Sequence, residues 1–151
     1  MGRSSDTPLR PLEPLVGRWK TEGWTRATEG VPAERIDAID TYEWLVSGVV
    51  LLHRVDARVG DLKVDGAEII GYDPQRARYA TQYFGSDGPT AYQADLSEER
   101  ERSVWTMWSP DTRFSGEFSH DGDVITGRWE RLLDDSTWTD WMDITLTKQR
   151  P

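Results

Sequence analysis

From Gly17 to its end the chain repeats one texture: short runs rich in Thr, Val, Ile, Tyr and Trp, each closed by turn residues. No window carries a helical apolar period long enough to interpose a crossover helix. Without crossovers, consecutive strands pair as antiparallel neighbours. The runs predict strands near 18–26, 34–46, 49–59, 64–73, 77–85, 90–97, 102–109, 112–120, 123–132 and 137–148. The turns between them include Ser47-Gly48, a loop from Gly60-Asp61 to Asp65-Gly66, Asp73-Pro74, Ser86-Asp87-Gly88 and His120-Asp121-Gly122. An open sheet of that many strands would leave two long edges, and closure removes both. The expectation is an all-β fold, a closed antiparallel up-and-down barrel of about ten strands. A two-sheet sandwich is the competing architecture. Pro8, Pro11 and Pro14 make the opening a loop or a short helical turn laid against something else. Residues 1–11 read as a flexible N-terminal segment and 12–151 as a single barrel domain.

Composition narrows the function. A chain of 151 residues makes one domain and hides roughly 70% of its unfolded surface, so it builds a full core without staples. With 18 Lys and Arg against 27 Asp and Glu, the formal charge is −9. That argues against a nucleic-acid binder, which neutralises phosphates with cations, and against docking on anionic lipid. There are no cysteines, which excludes disulfides, thiolate zinc sites and cysteine nucleophiles. Two histidines cannot make a three-histidine metal site within one chain, and no metal is expected. No apolar run approaches membrane-spanning or signal-peptide length, so the expectation is a soluble cytoplasmic protein. Phosphate loops, nucleophile elbows and a His-Glu-x-x-His pattern are all missing.

Strand alternation assigns faces. In the second strand Ile36, Ala38, Asp40, Tyr42 and Trp44 share the inward parity. In the third, Val49, Leu51, His53, Val55 and Val59 do. Phe114 and Phe118 align in the eighth, and Trp138, Asp140, Met142, Ile144 and Leu146 in the last. Trp141 then faces outward, where it would serve as a homodimer contact. The seventh strand is left without an assigned face. The interior that results is apolar and aromatic, with Asp40, Tyr42, His53 and Asp140 as its polar groups. Such an interior suits a small molecule: apolar walls and a few placed polar groups that set orientation. A buried carboxylate needs a partner, and His53 is the candidate. The plainer alternatives are a hydrogen-bonded core histidine, and carboxylates at strand ends that reach water or an arginine.

Leu12-Glu-Pro-Leu-Val-Gly17-Arg-Trp19 resembles the opening of lipocalin-like barrels of the calycin group, where a short turn leads into a Gly-x-Trp first strand. Fatty-acid-binding proteins and nitrobindins share that signature. Tyr42 to Gly48, Gly71-Tyr72-Asp73-Pro74 with the Tyr79–Phe84 strand, and Asp143 to Lys148 extend the likeness across residues 10–148. They make the chain similar to a bacterial lipocalin-like domain family of unknown function. The resemblance implies a ten-stranded barrel, with Trp19 packed under its closed end, and a ligand cavity. Nitrobindins bind haem through a histidine near the C-terminus; the stretch from Trp138 to Lys148 has none, so haem is not carried over and no cofactor is expected.

Two functions follow from this reading, beside a third possibility of a scaffold or dimer whose interior is filled by tryptophans and whose function lies on its acidic surface. The first is binding of a small hydrophobic or aromatic molecule, with Tyr42, Trp44, Phe118, Trp138 and Met142 as walls and His53 and Asp140 as polar anchors. The second is a cofactor-independent cyclase, isomerase or dehydratase in the same cavity, with His53 moving the proton and Asp40 or Asp140 as its acidic partner.

Overall fold

The computed structural model describes residues 7–150. Ten strands follow one another: β1 (Gly17–Thr25), β2 (Arg35–Leu45), β3 (Val50–Val59), β4 (Leu62–Asp73), β5 (Arg78–Gly85), β6 (Gly88–Glu99), β7 (Arg102–Trp108), β8 (Thr112–Phe118), β9 (Val124–Leu132) and β10 (Trp138–Gln149). Each pairs antiparallel with its sequence neighbours, and β1 pairs with β10, so the sheet closes on itself as a barrel. The sandwich is thereby excluded, and every expected strand is present within a few residues of its expected bounds.

One end of the barrel is sealed by the segment ahead of β1. Arg10–Leu15 forms a 3-10 turn with prolines at positions 11 and 14. Three residues per turn put Leu9, Leu12 and Leu15 on one face, and all three are buried. Each contributes roughly 1.5–3 kcal/mol by leaving water. The turn is tied down from both sides: the Trp19 indole N–H donates to the Leu15 carbonyl at 2.8 Å and the Tyr79 hydroxyl donates to the Pro8 carbonyl at 3.2 Å. Trp19 is 0% exposed and meets Phe118 edge-on at 6.5 Å, as the calycin resemblance implies. Barrel packing therefore begins at Leu9, ahead of the expected boundary at residue 12, because a sealed end needs an apolar plug. Of the segment expected to be flexible, residues 1–6 lie outside the described residues.

Two expectations about faces and turns are corrected, and the seventh strand gains the face it lacked. Asp65 and Gly66 do not form a turn; they pair within β4 opposite Asp56 and Val55. The hairpin turns two residues wide at Gly60-Asp61, where Gly60 takes φ 59°. Gly66 is a strand glycine because the Tyr83 ring lies against it: a Cβ there would stand 2.1 Å from the Tyr83 hydroxyl oxygen. Val49 sits in the turn before β3 and is exposed. Trp105 and Met107 of β7 both turn inward, opposite Leu96 and Ala94.

The largest correction is in β10. Its register slips between Asp140 and Met142, a β-bulge that leaves Trp141 as the extra residue. A bulge reverses the parity of what lies before it. Met142, Ile144 and Leu146 keep their inward places, opposite Trp129, Gly127 and Ile125. Trp138 and Asp140 turn outward, and Trp141 turns in beside Met142. The contacts agree. Trp141 meets the Trp129 ring at 6.4 Å, whereas Trp138 lies beneath the Arg113 guanidinium at 4.1 Å on the outer wall.

Candidate functional site

Five consecutive strands each send one polar side chain to the interior, and these five form a continuous chain of hydrogen bonds. The Thr21 hydroxyl (β1) donates to Asp40 Oδ2 (β2) at 2.5 Å. Asp40 Oδ1 lies 2.7 Å from His53 Nε2 (β3), and His53 Nδ1 lies 2.9 Å from Glu68 Oε1 (β4). The Thr81 hydroxyl (β5) donates to Glu68 Oε2 at 2.8 Å. The register makes this arrangement: Tyr42 faces His53, and His53 faces Glu68. Tyr42 lies flat on the imidazole, centroids 4.1 Å apart and planes 6° from parallel.

The chemistry follows from the pairing. Burial works against a charged imidazole, but hydrogen bonds and charges from Asp40 and Glu68 overcome it and lift the His53 pKa to about 9. His53 is therefore an imidazolium at neutral pH, donating one N–H to each carboxylate. Two carboxylates and one imidazolium leave the array with an excess negative charge. Burial, followed by the charges of Asp40 and Glu68, pushes the Tyr42 phenol well above its usual range. All four carboxylate oxygens accept one of these bonds and each keeps a further lone pair. The array can accept hydrogen bonds from a visitor, but the imidazole has none left to donate. Proton transfer by His53 would first require one carboxylate to leave.

The array is buried but not completely packed over. Side-chain exposure is 13% for His53, 11% for Asp40 and 4% for Glu68. Toward the end opposite the plug, inward-facing side chains remain only half-buried, among them Val64, Tyr83, Tyr92, Trp129, Trp141 and Met142. That half of the barrel is packed less completely than the plugged half. Its wall on the β6–β10 side is aromatic: Trp129 meets Tyr92 at 5.8 Å, Phe114 at 5.1 Å and Trp141 at 6.4 Å.

The expected site residues thus divide. Asp40, Tyr42 and His53 come together in the array. Met142 is half-buried on the inner face, toward the end opposite the plug. Trp44 faces inward and packs on the core, and its indole N–H is the one buried side-chain donor without a partner among the described residues. Phe118 belongs to the sealed end, against Trp19. Trp138 and Asp140 are on the outer wall, where Asp140 lies 3.6 Å from Arg26 and 3.5 Å from Arg128. Asp140 is therefore no partner of His53. Glu68, Thr21 and Thr81 were missed, as were Tyr92, Trp129 and Trp141. His120 is exposed in the turn after β8. Among the described residues no group of His, Asp and Glu is arranged to hold a metal ion. Two depressions of about 400 and 510 Å³ flank Trp108, lined largely by outward-facing side chains, but arginines already cover the tryptophans there: Arg78 over Trp108 and Arg113 over Trp138.

The fold is a closed ten-stranded antiparallel barrel, plugged at one end and carrying a buried polar array. The chain belongs to the DUF1579 family, a protein family of unknown function, whose model matches residues 7–148. No curated protein matches it at a significant level. Among solved structures it is similar to Rv2717c from M. tuberculosis, with 14% identity, a TM-score of 0.74, and 95% of this chain and 98% of that one covered. It is also similar to the S-type phycobiliprotein lyase CPES from Guillardia theta, with 8% identity, a TM-score of 0.58, and 98% and 96% coverage. At these identities the likeness shows the fold. No helix among the described residues is long and apolar enough to cross a membrane.

Proposed function

We propose that the protein binds a small, largely apolar or aromatic molecule in the open half of its barrel. The observation that carries this reading is the contrast between the two halves. The plugged half is packed by Leu9, Leu12, Leu15 and Trp19, whereas the other half keeps inward aromatics partly wet above a buried polar array. A structural core has no use for half-wet tryptophans on its inner face; a ligand site does. Burying an apolar ligand there yields roughly 25 cal/mol per Å² before ordering costs. The reading needs no metal or cofactor, and haem fits poorly because neither nitrogen of His53 is free to bind iron. It also needs no second copy, since one chain encloses the lumen.

The test is a screen of hydrophobic small molecules by melting temperature and tryptophan fluorescence. The outline shared with a phycobiliprotein lyase adds bilins to that screen. Binders are expected to raise Tm and to perturb the emission of Trp129 and Trp141, with the effect lost in Trp129→Ala. A broad screen that leaves both readouts unmoved contradicts the reading.

A further inference from the structure

Resting on that reading, we infer that the ligand of this lumen is an organic cation: an ammonium, amidinium or protonated nitrogen heterocycle carried on an aromatic or apolar body. Two walls of different chemistry face one another and select the same charge. The β1–β5 wall carries Asp40 and Glu68 with only His53 between them, so it holds more negative than positive charge whether or not the imidazole is protonated. Its four carboxylate oxygens have lone pairs to offer, and its imidazolium N–H groups are both spent. The β6–β10 wall carries the half-buried rings of Tyr92, Trp129 and Trp141, and aromatic rings attract cations over their faces.

The two walls are neighbours. Tyr92 pairs across the sheet with Thr81, which itself holds Glu68, and Tyr92 reaches Trp129 three strands away. This aromatic wall already accommodates one cation: the Arg131 guanidinium lies 5.3 Å from the Trp141 ring centre, at the rim. The other cation at an inward register position, Lys148, lies at the sealed end, with Nζ 3.2 Å from the Pro14 carbonyl and 5.0 Å from the Trp19 ring. Neither is placed to meet a ligand carboxylate beside Glu68. A fatty acid or other anion would have to bury its charge against a surplus of the same sign, which a low-dielectric interior penalises.

The experiment compares three probes on one skeleton by calorimetry at pH 7: 2-naphthylmethylamine, 2-naphthalenemethanol and 2-naphthoate. The ammonium is expected to bind at least tenfold more tightly than the alcohol, and the carboxylate not measurably. Glu68→Gln should erase the amine's advantage. Because that variant also disturbs the fold, Trp129→Leu, at a half-buried position, provides a second arm and should weaken the amine more than the alcohol. If the alcohol or the carboxylate binds wild type as tightly as the amine, the charge preference is overturned while the lumen stands as a binding site. If none of the three binds but the broader screen finds ligands, the preference again falls alone. Silence in both contradicts the lumen as well.

Discussion

At the scale of single residues, His53 governs the interior. Its folded pKa of about 9 lies above the ordinary histidine value near 6.5, so the folded state binds the proton more tightly than the unfolded chain does. The stabilisation is complete below about pH 6.5 and is lost as pH rises through about 9, a change on the order of 3 kcal/mol. Urea unfolding at pH 6, 7.5 and 9.5 should show that decline in wild type and a much flatter profile in His53→Gln. Glu68→Gln leaves the imidazolium one partner short and should cost about 3 kcal/mol, since breaking a buried ion pair strands its other half. Asp140→Asn, on the outer wall, should stay within about 0.5 kcal/mol, a contrast that checks which carboxylate serves His53. Asp40, Tyr42 and His53 were legible because β2 and β3 alternate cleanly. Glu68 was not: Ile69 and Ile70 are consecutive, so the strand near 64–73 shows an apolar residue on either face and its alternation does not say which way Glu68 points.

At the scale of elements, the strands were legible because each run ends in a residue pair suited to a tight turn and no helical period competes. The bulge was not. An inserted residue changes which way a side chain points without changing the composition of the strand, and Thr137 to Met142 alternates equally well in either phase. The turn from β2 to β3 carries local strain: Val46, 71% exposed, takes φ 52°, a left-handed conformation that branched side chains avoid. Val46→Gly gives up little packing and should raise stability by about 1 kcal/mol, read as a shift in the urea midpoint. The plug behaves in the opposite way. Leu12→Ala removes a fully buried side chain and should cost about 2–5 kcal/mol in the same assay.

At the scale of the whole molecule, closure of the sheet gives every strand a neighbour on both sides and gives the interior two unlike ends. One is shut by leucines and Trp19. The other keeps Trp141 and Trp129 half-buried on the inner face, and the outer wall carries its own ion pairs, among them Arg26 and Arg128 with Asp143 at 2.5 and 2.8 Å. Those arginines, Arg26 foremost, hold the Asp143 carboxyl below its usual range. Some of the charge on the outer wall is thus neutralised in pairs, while the array inside keeps a surplus of negative charge and unused acceptors. The most direct measurement is a crystal structure of the protein grown with 2-naphthylmethylamine. The account predicts the naphthyl ring against Trp129 and Tyr92, with its nitrogen within hydrogen-bonding distance of Asp40 or Glu68. A probe seated on the outer wall at Trp108, or a lumen filled by the protein's own side chains, would contradict it.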